Sequence, residues 1–264
     1  MIIYDLNKIK IKTIEQLDNS EIVTHSGKRY IKLYAGYDTE TTRIHKRSYV
    51  YHFAISFNQY IFGFRWWDDF LEWVQVTEKI LYDRYRRSKT KPLLLIWVAN
   101  LSFEFQFLKD RLKWDVFATK SRQPLSAQYG DHIQFREALK ISGGNLAFLA
   151  KTYCKTQKMI GDLDYSKKRN STTTLTEKEL GYIENDVKIL AEFSEYIFKN
   201  APEWGTIPYT STGILRHECK QEIKNNDNYK QFIHENYFTE TEYKAYMSFY
   251  IGVAILTLTG LMLV

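Results

Sequence analysis

The spacing of hydrophobic and polar positions changes several times along the chain. Residues 31–37 (IKLYAGY) predict a strand that ends in Asp38. Residues 49–57 and 60–65 predict an antiparallel hairpin turning near Asn58-Gln59. Next comes a helical pattern capped by Asp68 or Asp69, with Phe70, Leu71, Val74, Leu81 and Tyr85 on one face. Its far end carries Arg84, Arg86 and Arg87, as the helix dipole favours. The apolar run 93–99 (LLLIWVA), after Pro92, predicts a strand covered on both faces, and Asn100 and Ser102 then open a second helix. Short strands are expected near 114–119, 125–129 and 132–137, followed by a helix around 144–153 and a basic polar loop, KKRNSTTT. Thr176 and Glu179 have capping-box spacing and begin a helix expected to run to about Lys199. Ala201-Pro202 is expected to end this unit, with helical segments near 211–225, 228–235 and 239–248 beyond it. Strands alternating with helices predict an α/β fold, a mixed sheet covered by helices.

Composition narrows the class. A chain of 264 residues, 44% hydrophobic and 16% aromatic, can bury a substantial core and is not disordered in character. Lys plus Arg exceeds Asp plus Glu by 37 to 31, which is compatible with a polyanionic partner. The 20 Tyr, 16 Phe and 6 Trp offer faces for stacking on unpaired bases, although most such rings belong to cores. Cys154 and Cys219 have no zinc-site or disulfide-framework spacing, so both thiols are expected free in a reducing, cytoplasmic setting. The first residues lack the order of a signal peptide, and there is no internal repeat or low-complexity stretch.

Three short segments carry candidate chemistry. Asp38-Thr39-Glu40 puts two carboxylates on one face of a strand, where they repel unless a cation lies between them. Hard divalent ions such as Mg²⁺ are held in this way. Tyr182 and Asp186 are four residues apart on a helix, a hydroxyl and a carboxylate on one face. Asn100 and Glu104 share a helix face directly after the buried strand, where a carboxylate is costly unless paired or liganded. Each segment alone is also explained by a solvated face, a core tyrosine or a helix cap. Their order, strand DxE, then NxxxE, then helix YxxxD, is the specific signal.

In that order the chain resembles the DEDD exonuclease superfamily, tyrosine subtype. More closely, it resembles the N-terminal exonuclease domain of protein-primed family B DNA polymerases of small bacteriophages. The matching stretches are GYDTETT, ANLSFEFQFL, GDLDY and YIENDVKIL, within roughly residues 31–198. The resemblance implies a ribonuclease-H-like sheet and two divalent metal ions, Mg²⁺ or Mn²⁺. Asp38, Glu40, Glu104 and Asp186 would be the ligands, and Tyr182 would orient the attacking water. The position of Glu104 is usually Asp in the family. Thr41, Asn100, Phe103 and Leu139 match positions that hold single-stranded DNA, although Ala138 stands where a Ser or Thr usually precedes the Leu. The family also has a lysine near GDLDY. The adjacent residue here is Ile160, and Lys158 is the nearest candidate catalytic lysine. The implied partners are single-stranded 3′ ends and primer-template DNA. A terminal protein is left open for a full-length parent, and the chain is expected to be a cytoplasmic monomer with no membrane role, in a bacterial host if phage-encoded.

The resemblance divides the chain into an exonuclease domain at 1–200, a connection toward a polymerase palm at 201–250, and an aberrant apolar tail at 251–264. FYIGVAILTLTGLMLV is short for a membrane span. A shifted reading frame is one explanation, because a permissible choice of codons for Val253–Leu263, read from its third nucleotide, spells GYTHANWVNV, similar to a palm entry. The other is an apolar tail packed on the domain or on a membrane. No polymerase carboxylates are found, so DNA synthesis is not expected of this chain. Three rivals remain: a DEDD exoribonuclease, a non-catalytic single-strand-binding remnant, and a membrane-associated protein.

Overall fold

A computed structural model describes residues 1–159, 164 and 166–225. The expected segments 228–235 and 239–248, the tail at 251–264, and most of GDLDY lie outside the described residues. The elements in chain order are β1 (Ile2–Ile3), α1 (Leu6–Asp18), β2 (Glu21–His25), β3 (Lys28–Lys32), β4 (Ala35–Ile44), β5 (Arg47–Phe57), β6 (Tyr60–Phe64), α2 (Trp67–Tyr85), β7 (Leu93–Val98), α3 (Leu101–Leu108), β8 (Trp114–Lys120), β9 (Gln123–Tyr129), β10 (Ile133–Glu137), α4 (Leu139–Ser142), α5 (Leu146–Tyr153), α6 (Glu177–Trp204) and α7 (Ser211–Asn225). The strands form one mixed ten-stranded sheet with the path β1-β6-β5-β4-β7-β10-β9-β8, and β2 and β3 join beside β7. The expected mixed α/β sheet flanked by helices is therefore the fold.

The continuous apolar character of β7 has a direct cause. Leu94, Ile96 and Val98 point into a core shared with α1 and α2, which also holds Ile9, Phe57, Phe70 and Trp73. Leu95 and Trp97 point the other way, into a core with Ile189, Leu190 and Phe193 of α6. Successive side chains of a strand alternate faces, so a strand packed on both must be apolar throughout.

Four expectations need correction. The strand expected at 31–37 is two strands, and β4 runs on through Asp38 and Glu40 to Ile44 because it pairs with β5 along its whole length. Its parallel pairing with β7 covers only Gly36 and Tyr37, so the carboxylates still lie just past the C-terminal end of β7. The α2 N-cap is Trp66, and Asp68 and Asp69 lie in the first turn, where negative charge suits the helix dipole. Helix α6 passes through Pro202 and stops at Gly205, whose φ of 64° lets the chain turn off. Pro202 is in the last turn, and Ala201, Trp204 and Ile207 keep that turn packed on the core. Finally, the short helix α4 stands where no helix was expected. The hairpin at Asn58-Gln59 and the Thr176–Glu179 capping box are as expected, and Asn58 has a φ of 52°.

Candidate metal and nucleic-acid site

Helix α6 crosses close over β4. A methyl group on Gly36 would lie 2.3 Å from Leu190 Cβ and 3.1 Å from the Val187 carbonyl oxygen, so only glycine allows this approach. The approach brings Asp186, one residue before Val187, down toward Asp38 and Glu40. One carboxylate oxygen from each of Asp38, Glu40 and Asp186 lies within 4.8 Å of the others. Glu40 and Asp186 are buried, and Asp38 is partly exposed.

The electrostatics follow from the crowding. Burial, then repulsion from Glu104, Glu40 and Asp186, holds the Asp38 carboxyl well above the usual carboxylate range. Burial and Asp186 push Glu40 up to about 8. Asp186 is also raised by burial, while Lys158 opposes the shift. Lys158 Nζ donates to both Asp186 carboxylate oxygens and, at 2.7 Å, to the Tyr182 hydroxyl. Its ammonium also sits 3.9 Å from the centre of the Tyr182 ring. Lys158 thus joins Tyr182 and Asp186 in one cluster, whereas Ile160 lies outside the described residues. The three converging carboxylates, with Lys158 bonded to one of them, form an oxygen donor set that could hold a metal ion.

Glu104 is near this group but does not share it. Its carboxylate is buried and accepts a hydrogen bond from Thr39 Oγ1, on the opposite face of β4 from Asp38 and Glu40. Burial and repulsion from Glu40 push Glu104 up to about 8, against the Thr39 hydrogen bonds. The α3 entry is shaped by a residue that the motif reading missed. Glu137, at the end of β10, accepts from the backbone N–H groups of Asn100 (3.2 Å), Leu101 (2.6 Å) and Leu139 (2.8 Å). Asn100 sits at the N-cap with φ 66°, and its side chain makes no capping bond because the Glu137 carboxylate caps the helix instead. The available signal was a carboxylate at the end of an otherwise buried strand.

Asn100 is exposed, Phe103 is 40% exposed, Thr41 is partly exposed, and Leu139 packs half-buried against the second core. Asn100 and Phe103 belong to the α3 entry, Thr41 follows the β-bulge after Glu40, and the α3 entry and Leu139 are tied together through Glu137.

No protein-family model and no curated protein matches the chain. Solved structures do. The chain is similar to Phi29 DNA polymerase complexed with primer-template DNA and incoming nucleotides (TM-score 0.57, 19% identity), over 73% of this chain and 35% of that one. It is similar to the same polymerase complexed with single-stranded DNA (TM-score 0.54, 19% identity), over 72% and 35%. An orthorhombic crystal form gives TM-score 0.55 at 20% identity, over 72% and 34%. The chain spans about a third of the length of these polymerases, and the likeness is one of fold.

Proposed function

We propose that this chain is a two-metal 3′→5′ exonuclease acting on single-stranded DNA ends, the N-terminal part of a protein-primed DNA polymerase. The observation that carries the reading is the convergence of Asp38, Glu40 and Asp186 with Lys158 and Tyr182. In this reading the nuclease domain, expected at 1–200, runs on through the end of α6 because Ala201, Trp204 and Ile207 pack in its core, and a connection toward a palm follows. Among the described residues no helix is long and apolar enough to cross a membrane.

Asp38, Glu40 and Asp186 would hold the ions, with Glu104 reached through Thr39 or by turning toward Asp38. Divalent ions bound there would supply activation of water and stabilisation of the leaving oxygen. The chain's own groups orient the reactants. Tyr182, fixed by Lys158, presents its hydroxyl beside Asp186. Phe103 offers an exposed ring for a terminal base, and Thr41 and Asn100 offer polar groups to the strand. The water oxygen would bond to phosphorus and release a proton to solvent, the P–O3′ bond would break, the departing 3′ oxygen would take a proton from solvent, and a 5′-nucleoside monophosphate would leave.

The bonding of Glu104 to Thr39 favours a second reading, a single-strand-binding remnant without catalysis. Incubating 3′-end-labelled single-stranded DNA with Mg²⁺ or Mn²⁺ separates the two, because labelled mononucleotide is released only under the first.

A further inference from the structure

The β4 strand that carries Asp38 and Glu40 continues outward into a hairpin with β5, and that hairpin is basic. Residues 41–49 read TTRIHKRSY, with Arg43, Lys46 and Arg47 and no acid. Every residue from Arg43 to Tyr49 is exposed, including the Tyr49 ring at 49%. The basic loop after GDLDY lies against it. Lys168 Nζ donates to the Arg43 carbonyl at 2.5 Å, and the Arg169 N–H donates to Thr42 Oγ1 at 3.3 Å. Arg169 itself turns inward onto Glu179, which anchors the loop and leaves Lys167 and Lys168 exposed. Asp164, the acid of this loop among the described residues, is occupied by the Ser166 N–H and hydroxyl.

The tight turn puts Lys46 at the exposed tip of the hairpin. Ile44 pairs with Arg47, so His45 and Lys46 form a two-residue loop, with φ of 46° and 66°. Such a turn needs the left-handed region twice, which Asn-Gly occupies at least cost. The β2–β3 hairpin of the same chain fills its turn with Ser26 and Gly27, a glycine at the second position. The β4–β5 hairpin has a histidine and a lysine at these positions, and the β8–β9 hairpin likewise turns through Ser121 and Arg122 without a glycine, Arg122 at φ 60°.

We propose that the β4–β5 hairpin tip, with Lys167 and Lys168, is an electrostatic guide that holds the backbone of a single DNA strand on its way to the carboxylate site. At about 3.4 Å per residue the tip lies roughly 20 Å along β4 from Glu40, within reach of a strand whose end rests at the carboxylates. The guide deepens the nuclease reading by naming how the strand is held, but its test does not depend on cleavage.

The test is binding of a fluorescent oligothymidylate to the full chain in chelator, titrated with salt. Each phosphate contact on a single strand adds about 0.7 to the slope of log K against log salt. The variant Arg43→Ser/Lys46→Ser/Arg47→Ser should lose about 2 from that slope and bind several-fold more weakly at low salt. A control that removes three exposed cations at the far end of α2, Arg86→Ser/Arg87→Ser/Lys89→Ser, should leave the slope unchanged. The variant His45→Asn/Lys46→Gly should melt at or above the wild-type temperature while binding less tightly, a pairing that a purely structural turn would not give. No binding by the wild type, an unchanged slope in the hairpin variant, or equal losses in hairpin and control variants would each overturn the proposal. Nucleotide release, measured separately with metal, reports on the nuclease reading alone.

Discussion

Lys158 and Asp186 are bonded through both carboxylate oxygens, and the same ammonium holds the Tyr182 hydroxyl at 2.7 Å. The lysine therefore sets both the charge of one proposed metal ligand and the orientation of the phenol. Replacing Lys158 with Met should lower the nucleotide-release rate by about 10–100-fold, the usual effect of losing a group that orients a ligand. Binding of oligonucleotide in chelator should change little, and steady-state rates measured beside binding check the separation.

The carboxylates give the pH dependence a definite sign. Glu40 and Glu104 are both pushed up to about 8 by burial, from an ordinary value of 4.5. A carboxylate raised in the folded state contributes stability that is fully present below its unfolded pKa and is lost as pH rises through its folded pKa. Metal-free protein should thus lose stability between about pH 5 and about pH 8. Added Mn²⁺ should reverse the trend, because the ion favours the ionised ligands and its binding releases protons. At about 100 times Kd the gain is about 2.7 kcal/mol, or roughly 5–10 °C in Tm, larger at high pH than at low. Thermal melts with chelator or Mn²⁺ across that range check it.

The approach of α6 to β4 predicts a long-range effect from one methyl group. Gly36→Ala places a carbon 2.3 Å from Leu190 Cβ, so the helix must move away from the strand. The expected cost is about 1–3 kcal/mol from overpacking, and Asp186 moves with the helix. Metal-dependent stabilisation should fall by more than the loss in metal-free stability alone accounts for. Melts of the variant with and without Mn²⁺ measure both.

Glu137 predicts a different failure. Its carboxylate satisfies three backbone donors at the α3 entry and at Leu139, and alanine would leave these donors unpaired. Glu137→Ala should cost about 1–3 kcal/mol and raise KM for single-stranded DNA more than it lowers kcat. Chemical denaturation and substrate titration provide the two readings.

Much of the site was legible because it is built from local pattern. Asp38 and Glu40 share a strand face, Tyr182 and Asp186 share a helix face, and the both-sided burial of β7 shows in its unbroken apolar run. The rest depends on distant contacts. The extent of β4 is not legible in its own sequence, which turns polar at Asp38, because its length is set by pairing with β5. Pro202 signals a stop in the sequence, but core contacts of Ala201 and Trp204 outweigh a proline placed in a last turn. Glu137 was invisible as a cap because its three donors lie up to 37 residues away in sequence. The bond between Glu104 and Thr39 likewise joins segments that only the fold brings together.

The most direct measurement is release of labelled mononucleotide from 3′-end-labelled single-stranded DNA in Mg²⁺ or Mn²⁺, with the Asp38→Ala/Glu40→Ala variant alongside. The account predicts release by the wild type that chelator abolishes, and at least a thousand-fold less from the variant, about 4 kcal/mol of lost transition-state stabilisation. A well-folded wild type that binds the strand but releases nothing, or a variant that cuts as fast, would contradict it.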